Sequence, residues 1–199
     1  MTQNRMEKAK ELMQLLNALP QVHSCTLYGS LAANGGDALS DIDITLDVSG
    51  CDNGAFALVL PQLLGEKLPV LYSDYAPSLA PEKYVVSVAL DENDPFLIVD
   101  LCCTATPHCT AVTRQQLNER NDRCTHILKL WIANLKHFAR GVDNRTDILH
   151  MTKKLGLGMQ NQSSAELLEE TLQWLEKNAP SRLYGLLVSC RRAFTSLCR

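Results

Sequence analysis

No apolar run in this 199-residue sequence approaches the roughly 18 residues that a membrane helix needs. The best, Tyr84 to Leu90 and Phe96 to Cys103, are of strand length, so no membrane partner is expected. Glycine and proline are scarce, at 10 and 8 residues, which excludes collagen-like and low-complexity classes. The opening residues, Met-Thr-Gln-Asn-Arg-Met-Glu-Lys, lack the apolar core of a signal peptide and run into a charged amphipathic pattern. A cytoplasmic protein is expected. Its eight cysteines (Cys25, Cys51, Cys102, Cys103, Cys109, Cys124, Cys190 and Cys198) are then read as small hydrophobes kept reduced. What is present is ordinary globular composition, 46% hydrophobic and 21% charged, enough for one large domain or two of roughly 100 residues.

Net charge is −3 over the whole chain, but it is unevenly spread. Residues 1–110 carry 5 Lys/Arg against 14 Asp/Glu, a net −9, and residues 111–199 carry 14 against 8, a net +6. This asymmetry argues against a protein that grips nucleic acid over its whole surface, and it leaves room for one basic face turned towards phosphates.

The period of the apolar pattern changes near residue 110. Met6, Ala9, Met13, Leu16 and Leu19 recur at helical spacing, predicting a first helix over 3–18. Strands are predicted at 22–28 and at 41–48, where Asp41-Ile42-Asp43-Ile44-Thr45-Leu46-Asp47-Val48 alternates strictly between polar and apolar. A helix over 53–67 is interrupted or kinked at Pro61, and a further strand covers 70–75. Two strands, 84–90 and 96–102, flank Asp91-Glu92-Asn93-Asp94-Pro95, the composition of an antiparallel connection. Thr113 with Gln116 is a capping-box pair, expected to open one long helix that ends at Arg140 before Gly141. Helices are expected at 146–156, at 164–177 after the capping pair Ser163 and Glu166, and from Pro180 to the end. The fold class expected is α+β: a mixed-sheet domain over 1–110, then a helical bundle over 111–199.

Three features stand at telling separations. One strand ends in Tyr28-Gly29-Ser30, and Asp41 and Asp43 follow after ten intervening residues. Asp100 lies inside the later apolar run Phe96-Leu97-Ile98-Val99-Asp100-Leu101. Residues i and i+2 of a strand share a face, so Asp41 and Asp43 present neighbouring carboxylates. Two such charges repel unless a cation neutralises them, and Mg²⁺, with its preference for oxygen ligands, is suited to do so. Asp100 supplies a third carboxylate. Glycine at the strand end admits close approach of a ligand, and Ser30 offers a hydroxyl and an N–H to terminal phosphates.

This run (apolar-Gly-Ser, ten residues, Asp-apolar-Asp-apolar, then an acid in a later apolar strand) resembles the DNA polymerase β-like nucleotidyltransferase superfamily. The resemblance implies that Gly29 and Ser30 bind the phosphates of ATP or another nucleoside triphosphate. It further implies that Asp41, Asp43 and Asp100 hold one or two Mg²⁺ ions, with Asp100 as ligand or as base for the acceptor hydroxyl. The small size and helical second half resemble the antibiotic nucleotidyltransferases that adenylylate aminoglycosides or lincosamides, which implies a small-molecule acceptor and a role in antibiotic resistance. Three other readings stay open. The acceptor is a partner protein in antitoxin-type members, the general base is Asp100, Glu119 or Asp122, and the fold serves elsewhere as a non-catalytic nucleotide-binding module.

Other residues lie outside this constellation. Cys102, Cys103, His108 and Cys109 do not have zinc-knuckle spacing. Lys129, Lys136 and Arg140 are read as a solvated helix face, and His23, His126 and His137 as structural. Arg120 with His126 and Arg145 with His150 fit an Arg-x(4–6)-His spacing that chance also produces. Tyr72, Tyr75 and Trp131 are candidates for stacking on a base or for the core. The site is expected between the two halves.

Overall fold

The computed structural model describes residues 2–76, 83–107, 111–158 and 161–198. They form two compact units: Met1–Leu90 with Phe96–Asn121, and Asp91–Pro95 with Asp122–Arg199.

The first unit runs α1 (Thr2–Asn17), β1 (Ser24–Tyr28), α2 (Gly29–Ala32), β2 (Ile42–Asp47), α3 (Asn53–Gly65), β3 (Tyr72–Ala76), β4 (Lys83–Ala89), β5 (Ile98–Thr104) and α4 (Arg114–Asn118). It is an α+β fold with a mixed five-stranded sheet in the order β1-β2-β5-β4-β3. β2 and β5 pair in parallel, and β1–β2, β4–β5 and β3–β4 pair antiparallel. β5 is thus the middle strand, and Asp100 sits at the heart of the sheet rather than on an edge.

Strict alternation in β2 sorts its side chains. Ile42, Ile44 and Leu46 are fully buried, and Asp43, Thr45 and Asp47 emerge on the opposite face. The same division runs through β5, where Val99, Leu101 and Cys103 join the core cluster with Val86 and Val88 of β4. Ala9, Leu12 and Leu16 of α1 and Phe56, Ala57, Leu60 and Leu64 of α3 complete that core. Each large aliphatic side chain buried there contributes roughly 1.5–3 kcal/mol. α3 starts where the Asp52 carboxylate accepts the Ala55 amide, and it continues through Pro61 to Gly65.

The second unit is helical: α5 (Arg123–Ala139), α6 (Arg145–Lys153), α7 (Ser164–Asn178), a 3-10 turn at Ser181–Leu183 and α8 (Tyr184–Leu197). Its core is built around Trp131, fully buried, whose indole N–H donates to the Leu168 carbonyl at 2.8 Å. Arg191 of α8 pairs with Glu169 and Glu176 of α7 at 2.6 and 2.8 Å.

The expected single helix from 113 to 140 is two. The Thr113–Gln116 capping box forms as read, but it opens only the short α4. Asn121 then leaves the helical path and acts as a strand partner: Tyr75 N–H donates to its side-chain oxygen at 2.7 Å, and its side-chain NH₂ donates to the Tyr75 carbonyl at 2.8 Å. Asp122 restarts the chain as a new N-cap, accepting the Thr125 amide at 3.0 Å. Lys136, read as solvated, is buried on α5. Among the described residues, seven cysteines are free thiols, and no helix is long and apolar enough to cross a membrane.

Candidate active site

Register brings the acids together. Asp43 of β2 is the direct partner of Asp100 on the parallel neighbour β5, so the two carboxylates leave the same face about one strand spacing apart, ~4.8 Å between strands. The row continues in both directions. Tyr28 of β1 partners Asp43, Ser87 of β4 partners Asp100, and Asp74 of β3 partners Ser87. Every strand therefore contributes one polar side chain to a single line across the sheet: Tyr28, Asp43, Asp100, Ser87, Asp74.

Exposure falls along this line. Tyr28 is 38% exposed, Asp43 and Asp100 are half-buried, and Ser87 and Asp74 are fully buried. The Ser87 hydroxyl donates to Asp100 Oδ1. Burial, then the negative charge of Asp43, with further contributions from Cys102 and Asp100, pushes the Tyr28 phenol well above its ordinary range. The phenol therefore stays protonated and senses both carboxylates.

Gly29 follows Tyr28 with φ +71°, a conformation that L side chains rarely adopt. A Cβ placed there would run into the Asp43 carboxylate, so glycine is what allows β1 to turn into α2 beside that acid. Ser30 is exposed on the short α2.

Asp41 precedes β2 and is set by a tight turn. The Asp37 carboxylate accepts the Leu39 amide and the Ser40 hydroxyl, both at 2.9 Å, and the Ser40 oxygen accepts the Asp37 amide at 2.9 Å. Arg5 of α1, itself buried, donates to the Ala38 carbonyl at 2.6 Å and to the Phe96 carbonyl at 3.3 Å. One guanidinium thus ties together the two segments that lead into β2 and β5, the strands carrying Asp43 and Asp100.

All five residues read from the sequence (Gly29, Ser30, Asp41, Asp43 and Asp100) belong to the first unit, and Asp43 and Asp100 are register partners. Among the described residues, no group of three or more His, Cys, Asp or Glu side chains is drawn together to hold a metal on its own. The donor chemistry nevertheless suits Mg²⁺, which commonly uses one or two carboxylates and takes its other oxygens from water and phosphates.

Ser87 and Asp74 were not foreseen. Their signal was a polar residue inside a β-rich run, Ser87 alone in Val85-Val86-Ser87-Val88 and Asp74 beside Ser73 in Tyr72-Ser73-Asp74-Tyr75, meaningful only once the register is known. Several other candidates make contacts within their own elements or lie in the core. Tyr72, Tyr75 and Trp131 are buried in the core. Asp122 caps α5, and Glu119 accepts from Gln115 at 3.1 Å. Cys102 lies on the face of Asp100 while Cys103 is buried on the other, and His108 and Cys109 lie outside the described residues.

Compared with protein families and with curated proteins, the sequence gives no match. Among solved structures, the chain is similar to the non canonical poly(A) polymerase complex GLD-2 – GLD-3, at 14% identity over 90% of this chain and 55% of that chain, with a TM-score of 0.39. It is also similar to the GLD-2/RNP-8 complex, at 15% identity over 90% of this chain and 62% of that chain, with a TM-score of 0.38. In each case it spans less than two thirds of the other chain's length.

Proposed function

We propose that the sheet face around Asp43 and Asp100 is the metal and triphosphate site of a nucleotidyltransferase. The reaction is transfer of a nucleoside monophosphate, AMP from ATP, to an acceptor hydroxyl, with pyrophosphate leaving. The observation that carries this reading is the register pairing of Asp43 on β2 with Asp100 on β5, beside the point where β1 ends at Tyr28 and Gly29-Ser30 open α2. Asp43 and Asp100 bind Mg²⁺, with Asp41 as the further carboxylate. Bound there, Mg²⁺ supplies charge stabilisation at the attacking and leaving oxygens. Gly29 keeps the backbone clear of the Asp43 carboxylate, and Ser30 offers its hydroxyl to the terminal phosphates. A carboxylate beside the metal takes the proton of the attacking hydroxyl.

The acceptor is a hydroxyl-bearing cation of the aminoglycoside type. The support for this is the net −9 of residues 1–110, since acidic surfaces concentrate cations. Reduced cysteines fit a cytoplasmic setting.

Calorimetric titration of ATP with Mg²⁺, with EDTA and against Asp43→Asn tests the site. Binding that requires Mg²⁺ and disappears in the variant supports it. Failure of ATP, GTP, CTP and UTP to bind at millimolar concentration would overturn it. A pyrophosphate-release screen over aminoglycosides and neutral polyols then tests the acceptor class, and release with neutral polyols alone would refute the cationic assignment.

A further inference from the structure

We propose that Ser87 is the positioning residue of Asp100: it fixes the carboxylate by donating its one hydroxyl proton to Oδ1, which leaves Oδ2 as the oxygen presented to a metal ion. This rests on the reading of the Asp43–Asp100 face as a metal site.

The argument begins with the cost of a hydroxyl in that place. Ser87 is fully buried between Val86 and Val88, in the middle of β4. A buried hydroxyl without a partner is costly, and an apolar residue of similar size would suit the strand as well. Its partner is the residue directly opposite on β5, and that residue is Asp100. The torsion that turns a carboxylate about its Cβ–Cγ bond is soft and broad, so Asp100 left alone samples many orientations. Ser87 is anchored by strand pairing on both sides, to β5 and to β3, and makes a rigid donor. A hydroxyl carries a single proton, so the donation to Oδ1 is directional, and the two oxygens of Asp100 become inequivalent. Groups that orient a metal's ligands in this way typically control affinity by about 10–100-fold.

The test is Mn²⁺ affinity, read from the electron paramagnetic resonance of free Mn²⁺ in the presence of a non-hydrolysable ATP analogue. The full chain is compared with Ser87→Ala, Asp100→Asn, the double variant and Asp43→Asn, with thermal unfolding recorded for each. Ser87→Ala is expected to unfold cooperatively and to bind Mn²⁺ about 10-fold more weakly. The double variant is expected to bind no more weakly than Asp100→Asn alone, because Ser87 acts through Asp100. If Ser87→Ala does not fold, Ser87→Cys keeps the size with a weaker donor and is measured in its place, with the same direction expected. Wild-type Mn²⁺ affinity in a folded Ser87 variant, with loss in Asp43→Asn, would overturn the role of Ser87 and leave the metal site standing. Additive losses in the double variant would show that Ser87 acts independently of Asp100. No Mn²⁺ binding by the unaltered chain would overturn both readings together.

Discussion

Gly29 and Asp43 are in contact, and the absence of a side chain on the first makes room for the carboxylate of the second. Gly29 opens α2 directly after Tyr28, the last residue of β1 and the register partner of Asp43, so its position is tied to the end of the antiparallel ladder.

Gly29→Ala therefore combines two penalties. The backbone at φ +71° costs an L residue roughly 1–2 kcal/mol, and the new methyl meets the Asp43 carboxylate. The expected result is a folded variant with a Tm lower by several degrees and no Mg²⁺-dependent ATP binding. Unchanged calorimetry in a destabilised variant would show that Asp43 moves aside without cost to function.

Asp43→Asn should move stability and binding in opposite directions. Two half-buried carboxylates on neighbouring strands repel, and neutralising one relieves this by up to ~1 kcal/mol. Without metal the variant is expected to melt at or above the temperature of the unaltered chain. With Mg²⁺ and ATP the order reverses, because ligands that bind the native state stabilise it. Thermal unfolding in EDTA and in Mg²⁺/ATP checks both halves, and a lower melting point in EDTA would refute the repulsion argument.

The strand signals of the sequence were strong where polar and apolar residues alternate strictly, as in 41–48, and where one acid interrupts an apolar run, as Asp100 does in 96–103. Asp41, Asp43 and Asp100 stood out in this way, and the hairpin turn at 91–95 fixed the antiparallel pairing of β4 and β5. Pairing of β2 with β5 was not legible, since parallel neighbours are set by tertiary packing of chain segments far apart in sequence. Ser87 and Asp74 were hidden for the same reason. The break at 118–123 has no breaker residue to mark it: the segment Asn118-Glu119-Arg120-Asn121-Asp122-Arg123 has neither glycine nor proline. What parts α4 from α5 there is a pair of hydrogen bonds from Asn121 to Tyr75 of β3, a contact set by tertiary packing, and the one local sign of a restart is Asp122, a favoured N-cap residue.

Asn121→Ala is expected to loosen β3. Its side chain makes both hydrogen bonds to Tyr75 that a neighbouring strand would make, and removing them costs about 1–2 kcal/mol. Hydrogen exchange is the suitable measurement, with the Tyr75 amide losing protection while amides in β2 and β5 keep theirs. Retained protection at Tyr75 would mean that another group holds that edge.

The α7–α8 contact should weaken in acid. Burial raises the Glu169 carboxyl, but hydrogen bonds from Arg191 and Gln173 outweigh it and hold the group below its usual 4.5. A carboxyl that is more acidic in the folded chain stabilises fully above about pH 4.5, and this is lost as pH falls through the lower, folded value. Both side chains are about a third exposed, so the contribution is modest, ~1 kcal/mol at low salt. Unfolding of the unaltered chain and of Arg191→Met between pH 6 and pH 3 should show a difference in Tm that narrows in acid. A constant difference would assign the contact to packing.

The place of β5, wedged between β2 and β4, also governs when the acids first meet. A nascent chain that has emerged only as far as β2 carries Asp43 with no opposing carboxylate, and β3 and β4 add none beside it. The pair exists only after residues near 104 have left the ribosome and β5 has slotted into the gap. No shorter fragment from the N-terminus reproduces it, so the meeting of Asp43 with Asp100 reports on a finished sheet.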